Sequence, residues 1–178
     1  MIKVFCIGMF KTGTTSMGKA FEVLGYNTLN GPWWPKGIMI NDPFYERSDL
    51  WPIYYESIKK VILKYDAFQD YPWMFLFKEI REWYPDSKII LTIRDPNELA
   101  LSDIAMLKRL KIPEKNIPKK DKFIKRYICH RNNVLDFFKS DKDFLKFNIF
   151  AGDGWDKLCN FLKKDKPTLN FPNLNKSL

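Results

Sequence analysis

A short apolar run near the start of the chain leads directly into a turn rich in glycine and hydroxyl residues, and this junction constrains the fold most. Ile2, Val4 and Ile7 belong to the apolar run, which is typical of a buried strand. A helical pattern begins near Thr14, so residues 8–16 form a loop between a strand and a helix. At such a junction the unpaired backbone N–H groups and the helix dipole both point toward a bound anion. The sequence therefore predicts a strand–loop–helix unit with an anion site.

The side chains of this loop indicate which anion it binds. Gly8 and Gly13 allow the backbone to turn tightly, and they have the spacing of the two glycines in the ATP and GTP phosphate loop. That loop requires a lysine directly after its second glycine, but Thr14 stands there and the lysine of this loop is Lys11. The loop therefore predicts a phosphate site with a displaced cation, which disfavours an ordinary kinase or GTPase. Its hydroxyl donors are Thr12, Thr14, Thr15 and Ser16.

A second phosphate-binding pattern follows the β-branched run at residues 88–93, which predicts a buried parallel strand. The run ends at Arg94, and Pro96 suits the first turn of a helix. Arg94 should therefore lie at the carboxyl end of a strand, where open α/β sheets bind ligands. Ser102 follows Arg94 by eight residues on that helix. A guanidinium and a hydroxyl together suit a phosphate monoester, whereas the Arg-Asp-Pro triplet alone would indicate a strand-end salt bridge.

These two patterns resemble the sulfotransferases. Residues 10–16 are similar to the 5′-phosphosulfate loop of that family, and the strand ending in Arg94, followed by Ser102, is similar to its 3′-phosphate site. The resemblance implies 3′-phosphoadenosine 5′-phosphosulfate as co-substrate, adenosine 3′,5′-bisphosphate as product, and no metal. It implies that Lys11 contacts the bridging oxygen between phosphate and sulfonate. The residues that it assigns to nucleotide binding are Lys11, Thr12, Gly13, Thr14, Thr15, Ser16, Arg94 and Ser102.

The resemblance extends along nearly the whole chain, to one small subfamily of sulfotransferase-like proteins. Residues 27–60 and 108–126 match the subfamily poorly, and such segments usually build the acceptor pocket. The acceptor, a hydroxyl or an amine on a small molecule, lipid or glycan, is therefore left open. The segments that carry the resemblance are 66–72, 83–88, 152–162 and 170–175.

Sulfonate transfer needs a base for the acceptor's proton and a cation for the leaving phosphate, and Lys11 is the predicted cation. Sulfotransferases place a histidine or carboxylate just beyond the second strand, and Asp70 occupies that place here. Asp70 also fits the N-cap of a helix that begins near Pro72. The rival base is His130, the sole histidine. Its helical stripe with Tyr127 also fits a neutral histidine that is packed in the core and bonded to a backbone carbonyl.

Two other functions fit the same motifs. A phosphotransferase, such as a small-molecule kinase with a variant loop, would consume ATP with magnesium. A catalytically silent nucleotide-binding or interaction protein would keep the nucleotide site without an acceptor site.

Composition places the motifs in one domain. The chain has 178 residues, of which 46% are hydrophobic, and no linker divides it, so residues 1–178 are expected to form a single domain. The net charge of +9 is concentrated in residues 106–146, where 13 Lys/Arg accompany 5 Asp/Glu. This basic block fits a solvated helix face, a funnel for the nucleotide, or a nucleic-acid or membrane patch. No nucleic-acid-binding module accompanies it, so no nucleic-acid partner is expected.

The cysteines and the apolar segments indicate the compartment. Cys6, Cys129 and Cys159 lack the spacing of a metal site and are expected to be buried free thiols. No segment has the length of a membrane span or the pattern of a signal peptide, so a soluble cytoplasmic protein is expected. The sequence does not indicate an oligomeric state.

The alternation of strands and helices predicts an α/β, P-loop-type fold of three layers, in which helices cover both faces of a parallel β-sheet. An irregular aromatic segment, running to about residue 50, and a basic linker before residue 121 interrupt the alternation. The predicted strands are 2–8, 66–70, 88–94 and 144–150, and the predicted helices are 14–24, 51–64, 72–84, 96–111, 121–139 and 153–163.

Overall fold

The computed structural model describes residues 2–33 and 52–174, and five strands lie within them. The strands are β1 (Val4–Cys6), β2 (Thr28–Leu29), β3 (Ala67–Gln69), β4 (Lys88–Thr92) and β5 (Phe144–Phe147). They pair in the order β2-β3-β1-β4-β5, and every pairing is parallel. The helices are α1 (Thr14–Val23), α2 (Tyr55–Ile62), α3 (Phe77–Trp83), α4 (Pro96–Arg109), α5 (Lys120–Phe137) and α6 (Trp155–Leu162).

Helices cover both faces of the sheet. On β1, Phe5 points to the face packed by α2, α3 and α5, while Val4 and Cys6 point to the face packed by α1 and α6. All three residues are fully buried, as expected for a central parallel strand. The predicted three-layer α/β fold with a parallel sheet is therefore confirmed.

Strand β2 lies in the segment that was predicted to be irregular. It consists of Thr28 and Leu29 alone, which pair with Ala67 and Phe68 of β3. Two residues cannot show a strand periodicity in sequence, so only the pairing reveals this strand.

The prediction of a helix over residues 72–84 is wrong in its first half. The chain turns through residues 71–75, with a cis Tyr71–Pro72 bond, and α3 begins only at Phe77. Four side chains of this region are fully buried: Tyr71, Trp73, Met74 and Leu76. In a helix these residues would point in all directions around the axis, so they could not all face the core. The turns direct them into the core, so Asp70 is not the N-cap of a helix starting at Pro72.

Two predicted segments extend beyond the described residues. Helix α2 begins at Tyr55 after a 3-10 turn at residues 52–54, so it is shorter than the predicted 51–64. The irregular aromatic segment lies within the described residues only to Trp33. The rest of the aromatic segment, residues 34–51, lies outside them.

Helix α4 begins directly after the end of β4. Pro96 is its first residue, and the side chain of Asp95 accepts hydrogen bonds from the backbone N–H groups of Asn97 and Glu98. The helix packs against α5, with Leu99 and Tyr127 in one buried cluster that also contains Met9. This cluster brings α4 and α5 against the loop that follows β1.

Candidate functional site

Residues 7–13 connect β1 to α1 at the carboxyl edge of the sheet, and the loop motif at residues 8–16 also includes the first turn of α1. Gly13 takes the N-cap position of α1 with φ 96°, which a residue with a Cβ rarely adopts. Among the described residues, no side-chain hydrogen bond caps this helix. The first N–H groups of an α-helix have no partner within the helix, so this end suits an anion, as the strand–loop–helix pattern predicts.

Gly8 is required by a close approach between the loop and β4. A Cβ at this position would lie 1.9 Å from Thr92 Oγ1 and 2.7 Å from Thr12 Oγ1. Both threonines are fully buried, and their hydroxyl oxygens are 2.7 Å apart. Gly8 therefore lets the loop lie directly on the end of β4, the strand that leads to Arg94.

The loop hydroxyls divide into different roles. Thr12 donates its hydroxyl hydrogen to the Met9 carbonyl at 2.5 Å, so this hydroxyl stabilises the turn. Ser16 is buried and its Oγ accepts a hydrogen bond from the backbone N–H of Leu174 at 2.9 Å. Thr14 is also buried, whereas Thr15 is exposed. The sequence predicts four hydroxyl donors for an anion. In the folded chain the Thr12 hydroxyl instead donates its hydrogen to the backbone of the loop.

Arg94 joins the second motif to the first. Its Nη1 donates to the Lys11 carbonyl at 3.3 Å, and its Nε donates to Glu98 Oε2 at 3.3 Å. The guanidinium lies 4.1 Å from the ring centre of Phe150, which follows β5. The structure therefore brings the two predicted phosphate-binding motifs together at one edge of the sheet. Ser102 lies half-buried on α4.

Tyr127 of α5 fixes the backbone at this strand end. Its hydroxyl accepts from the Arg94 backbone N–H at 3.0 Å and donates to the Arg94 carbonyl at 2.9 Å. The helical pattern alone indicates only a packing role for Tyr127. Its position could not be recognised from sequence, because the helix that carries it lies 33 residues away in the chain.

The short 3-10 turn Ile149–Ala151 contacts both halves of the site. A Cβ on Gly13 would lie 2.6 Å from Ile149 Cδ1, and the next residue, Phe150, covers Arg94. A Cβ at residue 13 would therefore require the end of the Ile149 side chain to shift, in addition to the strain of the backbone angle. No sequence signal marked this turn as part of the site.

Lys11 and Asp70 both have left-handed backbone angles, with φ 64° and 74°. Such angles cost energy in residues with a Cβ, and they concentrate at functional sites. The two side chains interact electrostatically across the end of β1 and β3. Burial lowers the pKa of Lys11, and Asp70 opposes this shift in part. Burial raises the pKa of Asp70, although its Oδ1 accepts a hydrogen bond from the Tyr71 backbone N–H at 2.9 Å.

His130 lies under the loop and is bonded to the backbone. Its Nε2 is 2.9 Å from the Ile7 carbonyl, so Nε2 carries a hydrogen and donates it. Burial lowers the pKa of His130, which favours the neutral ring. The interpretation of His130 as a neutral histidine bonded to a backbone carbonyl agrees with this geometry.

Asp103 is a buried carboxylate that the sequence patterns did not identify, and it interacts electrostatically with Lys11. Only 3% of its surface is exposed, and burial raises its pKa to about 6 while Arg126 and Lys11 act in the opposite direction. It lies four residues after Leu99 on α4, so the helical spacing places it on the inward face. The sequence signal for Asp103 is an aspartate at a position where helical periodicity predicts a side chain that faces the core.

The basic block has members both at the site and away from it. Arg109 acts electrostatically on Lys11, and Arg126 acts on Asp103. Lys115, Lys119 and Lys125 are exposed to solvent. The three interpretations of this block remain predictions.

Within residues 2–33 and 52–174, no cluster of three or more His, Cys, Asp or Glu residues is arranged to hold a metal ion. The same residues contain no helix that is long and apolar enough to cross a membrane. All three cysteines are free, and Cys6 and Cys159 are buried as expected. Cys129 is exposed on α5, so the prediction that it is buried is wrong. Helical periodicity places it between the inward positions of Tyr127 and His130.

Comparison with protein families finds a match to the model described as a sulfotransferase domain, over residues 3–111 and 102–178. Comparison with curated proteins finds no match. Among solved structures, the fold is similar to that of a sulfotransferase from Alicyclobacillus acidocaldarius, with a TM-score of 0.61 and 17% identity. The alignment covers 100% of this chain and 86% of that one.

Proposed function

This chain belongs to the sulfotransferase domain family, and on that premise we propose that it transfers the sulfonate of 3′-phosphoadenosine 5′-phosphosulfate to a hydroxyl or amine acceptor. The observation that carries the proposal is the contact between the two phosphate-binding motifs, in which the Arg94 guanidinium donates to the Lys11 carbonyl. A nucleotide with phosphate groups on both its 5′ and 3′ positions requires two neighbouring anion sites. The chain offers the amino end of α1 for one and Arg94 for the other.

The residues present fit such a nucleotide. The two hydrogen bonds of Arg94 use two of the five N–H donors of a guanidinium, so the group can also hold a phosphate. Phe150 on the guanidinium face restricts its orientation. We assign the 3′-phosphate to Arg94 and Ser102, and the 5′-phosphate to the backbone N–H groups and hydroxyls of residues 12–16.

We assign the catalytic cation to Lys11 and the base to Asp70. An ammonium that is partly removed from water interacts strongly with charge on a leaving phosphate, because little solvent screens it. A carboxylate whose pKa is raised by burial accepts a proton more readily than an ordinary aspartate does. The two groups follow the neighbouring strands β1 and β3 and interact electrostatically with one another.

Calorimetric titration with adenosine 3′,5′-bisphosphate tests nucleotide binding. Lys11→Ala and Arg94→Ala should each weaken binding by about 1.5–3 kcal/mol, roughly tenfold or more in Kd, because each removes a charged partner of a phosphate. The matched control is Lys19→Ala, which removes an exposed lysine of α1 that pairs with Glu22. Absence of binding to the wild-type protein, or consumption of magnesium-ATP instead, would overturn the proposal.

Release of adenosine 3′,5′-bisphosphate from the sulfonucleotide, measured across a panel of hydroxyl and amine acceptors, tests the base. Asp70→Asn should lower turnover by about 10²–10⁴-fold while nucleotide binding persists. His130→Ala should leave the chemical step largely intact, since Nε2 of His130 is bonded to Ile7. The reverse pattern would assign the base to His130. Tight binding without turnover on any acceptor would favour a silent nucleotide-binding protein.

A further inference from the structure

The segment that follows α6, residues 163–174, turns back onto the sheet face that α1 and α6 cover, and we call it the return segment. The indole N–H of Trp155, the first residue of α6, donates to the Leu169 carbonyl at 2.7 Å. The ring of Phe171 lies edge-on to that of Trp155, with ring centres 4.9 Å apart, and its centre is 5.6 Å from that of Phe147. These contacts hold the return segment against the amino end of α6.

The return segment contacts the phosphate-binding loop at Leu174. The backbone N–H of Leu174, three residues after Phe171, donates to Ser16 Oγ at 2.9 Å. Ser16 is the third residue of α1 and 2% of its surface is exposed, whereas Leu174 is 47% exposed. The contact therefore joins the backbone of Leu174 to the buried hydroxyl of Ser16, and it does not require the Leu174 side chain.

This hydrogen bond restricts the Ser16 hydroxyl. A serine hydroxyl has one hydrogen to donate and two lone pairs that accept. Because Ser16 Oγ accepts from Leu174, its own hydrogen is directed away from the Leu174 N–H and is kept for donation. The first backbone N–H groups of α1, which suit an anion, belong to the same helical turn. An oriented hydroxyl loses less freedom on binding an anion than a freely rotating hydroxyl does.

We propose that Leu174 is a positioning residue, whose backbone N–H orients the Ser16 hydroxyl to donate to the 5′-phosphate of the nucleotide. This inference rests on the proposed function, which assigns that phosphate to residues 12–16. Trp155 and Phe171 contribute indirectly, because they hold the return segment on α6. By linkage, a contact that favours nucleotide binding is itself stabilised when the nucleotide binds.

Calorimetry with adenosine 3′,5′-bisphosphate on the full-length protein tests the role of the N–H group. Leu174→Pro removes this donor, whereas the matched control Leu174→Ala keeps it and shortens an exposed side chain. Leu174→Pro should raise the Kd about 3- to 10-fold, as expected for the loss of one hydrogen bond, and Leu174→Ala should bind as the wild type does. Equal affinities of the two variants would overturn the proposal.

A double-mutant cycle tests whether Leu174 acts through Ser16. In the Ser16→Ala background the hydroxyl is absent, so Leu174→Pro should cause no further loss of affinity. A proline that merely loosened the return segment would weaken binding by the same factor in both backgrounds, and this result would overturn the proposal. Ser87→Ala is the control for loss of a buried hydroxyl and should leave the Kd unchanged. Ser87 is also 2% exposed, but it lies at the amino edge of the sheet and donates to the Tyr84 carbonyl.

Amide hydrogen exchange of Leu174, measured by NMR in the full-length protein, tests the contact without a proline. Exchange should be faster in Ser16→Ala than in the wild type, because the acceptor is lost, and it should be unchanged in Ser87→Ala. Adenosine 3′,5′-bisphosphate should slow this exchange in the wild type but not in Ser16→Ala. Leu174 exchange that does not respond to Ser16→Ala would overturn the contact and the proposal with it.

The two measurements separate this inference from the proposed function. A wild-type protein that binds no adenosine 3′,5′-bisphosphate would refute the proposed function, and Leu174 exchange would still decide whether the contact with Ser16 exists. Wild-type binding that is weakened equally by Leu174→Pro in both backgrounds would refute the positioning role of Leu174 alone.

Discussion

The two edges of the sheet differ in what most affects their charged residues. At the amino edge, where the strands begin, acidic and basic side chains form direct ion pairs. Burial at this edge is partial, and hydrogen bonding to Lys88 lowers the pKa of Asp143. The pairs are Lys3 with Asp66 at 3.8 Å, Lys88 with Asp143 at 2.5 Å, and Arg81 with Asp141 at 2.9 Å.

At the carboxyl edge, burial is the dominant influence on the charged groups. It lowers the pKa of Lys11 and raises the pKa of Asp70 and of Asp103. Lys11 and Asp70 also adopt strained backbone angles. Clusters of groups with such shifts are typical of functional sites, because reactivity requires charges that are incompletely solvated.

Cavity shape alone would point to the opposite edge from the one that carries the two phosphate-binding motifs. A surface cavity of about 540 Å³ lies at the amino edge, lined in part by Lys3, Trp83 and Tyr84. The charged residues of its lining are Lys3 and Asp86, and Lys3 is paired with Asp66. The comparison teaches that the electrostatic environment of each edge, and not its concavity, distinguishes stabilising charges from candidate catalytic ones.

The largest effect is expected from Gly8→Ala, which tests whether the carboxyl edge depends on close packing of loop and strand. The new methyl group would overlap Thr92, whose side chain and carbonyl are both within 2.7 Å. We expect a loss of about 3 kcal/mol in the free energy of unfolding, measured with urea, and loss of nucleotide binding. Gly154→Ala is the control, because its nearest neighbour would be 3.7 Å away. Equal effects of the two substitutions would contradict the packing argument.

An intermediate effect is expected from Asp103→Asn, and it depends on pH. The pKa of Asp103 is about 6 in the folded protein and 3.8 for an ordinary aspartate, so the folded state binds this proton more tightly. Its contribution to stability therefore declines as the pH rises from about 4 to about 6 and stays reduced at neutral pH. The unfolding free energy of the variant minus that of the wild type should therefore increase by about 1–3 kcal/mol as the pH rises from 4 to 7. If the stability difference between the variant and the wild type did not change with pH, this result would count against a buried, ionised Asp103.

The smallest effect, and one of opposite sign, is expected from Asp143→Asn at the amino edge. Because the pKa of Asp143 is lowered in the folded protein, its contribution is present above the ordinary value of 3.8 and is lost as the pH falls through the folded pKa. At neutral pH the variant should be less stable by up to about 1 kcal/mol, and it should approach the wild type in acid. Its affinity for adenosine 3′,5′-bisphosphate should equal that of the wild type. Weaker nucleotide binding by Asp143→Asn would contradict the proposal that only the carboxyl edge of the sheet binds the nucleotide.

Local patterns in the sequence were sufficient for most of the fold. The apolar run before Gly8 and the β-branched run before Arg94 identified two central strands, because strands buried on both faces are continuously apolar. The start of α4 was also predictable, since Pro96 suits the first turn of a helix. The turns at residues 71–75 were not, because the packing of four buried side chains overrode a helical pattern.

The sequence by itself determined the strand–loop–helix junction, the displaced Lys11 and the strand ending at Arg94, because each depends on neighbours in the chain. Only the tertiary structure decided that Thr12 turns inward, that Tyr127 holds the backbone of Arg94, and that Asp103 is buried. These relations join residues far apart in sequence. Whether a polar side chain stabilises the fold or serves the site depends on which distant groups surround it, and packing alone sets those surroundings.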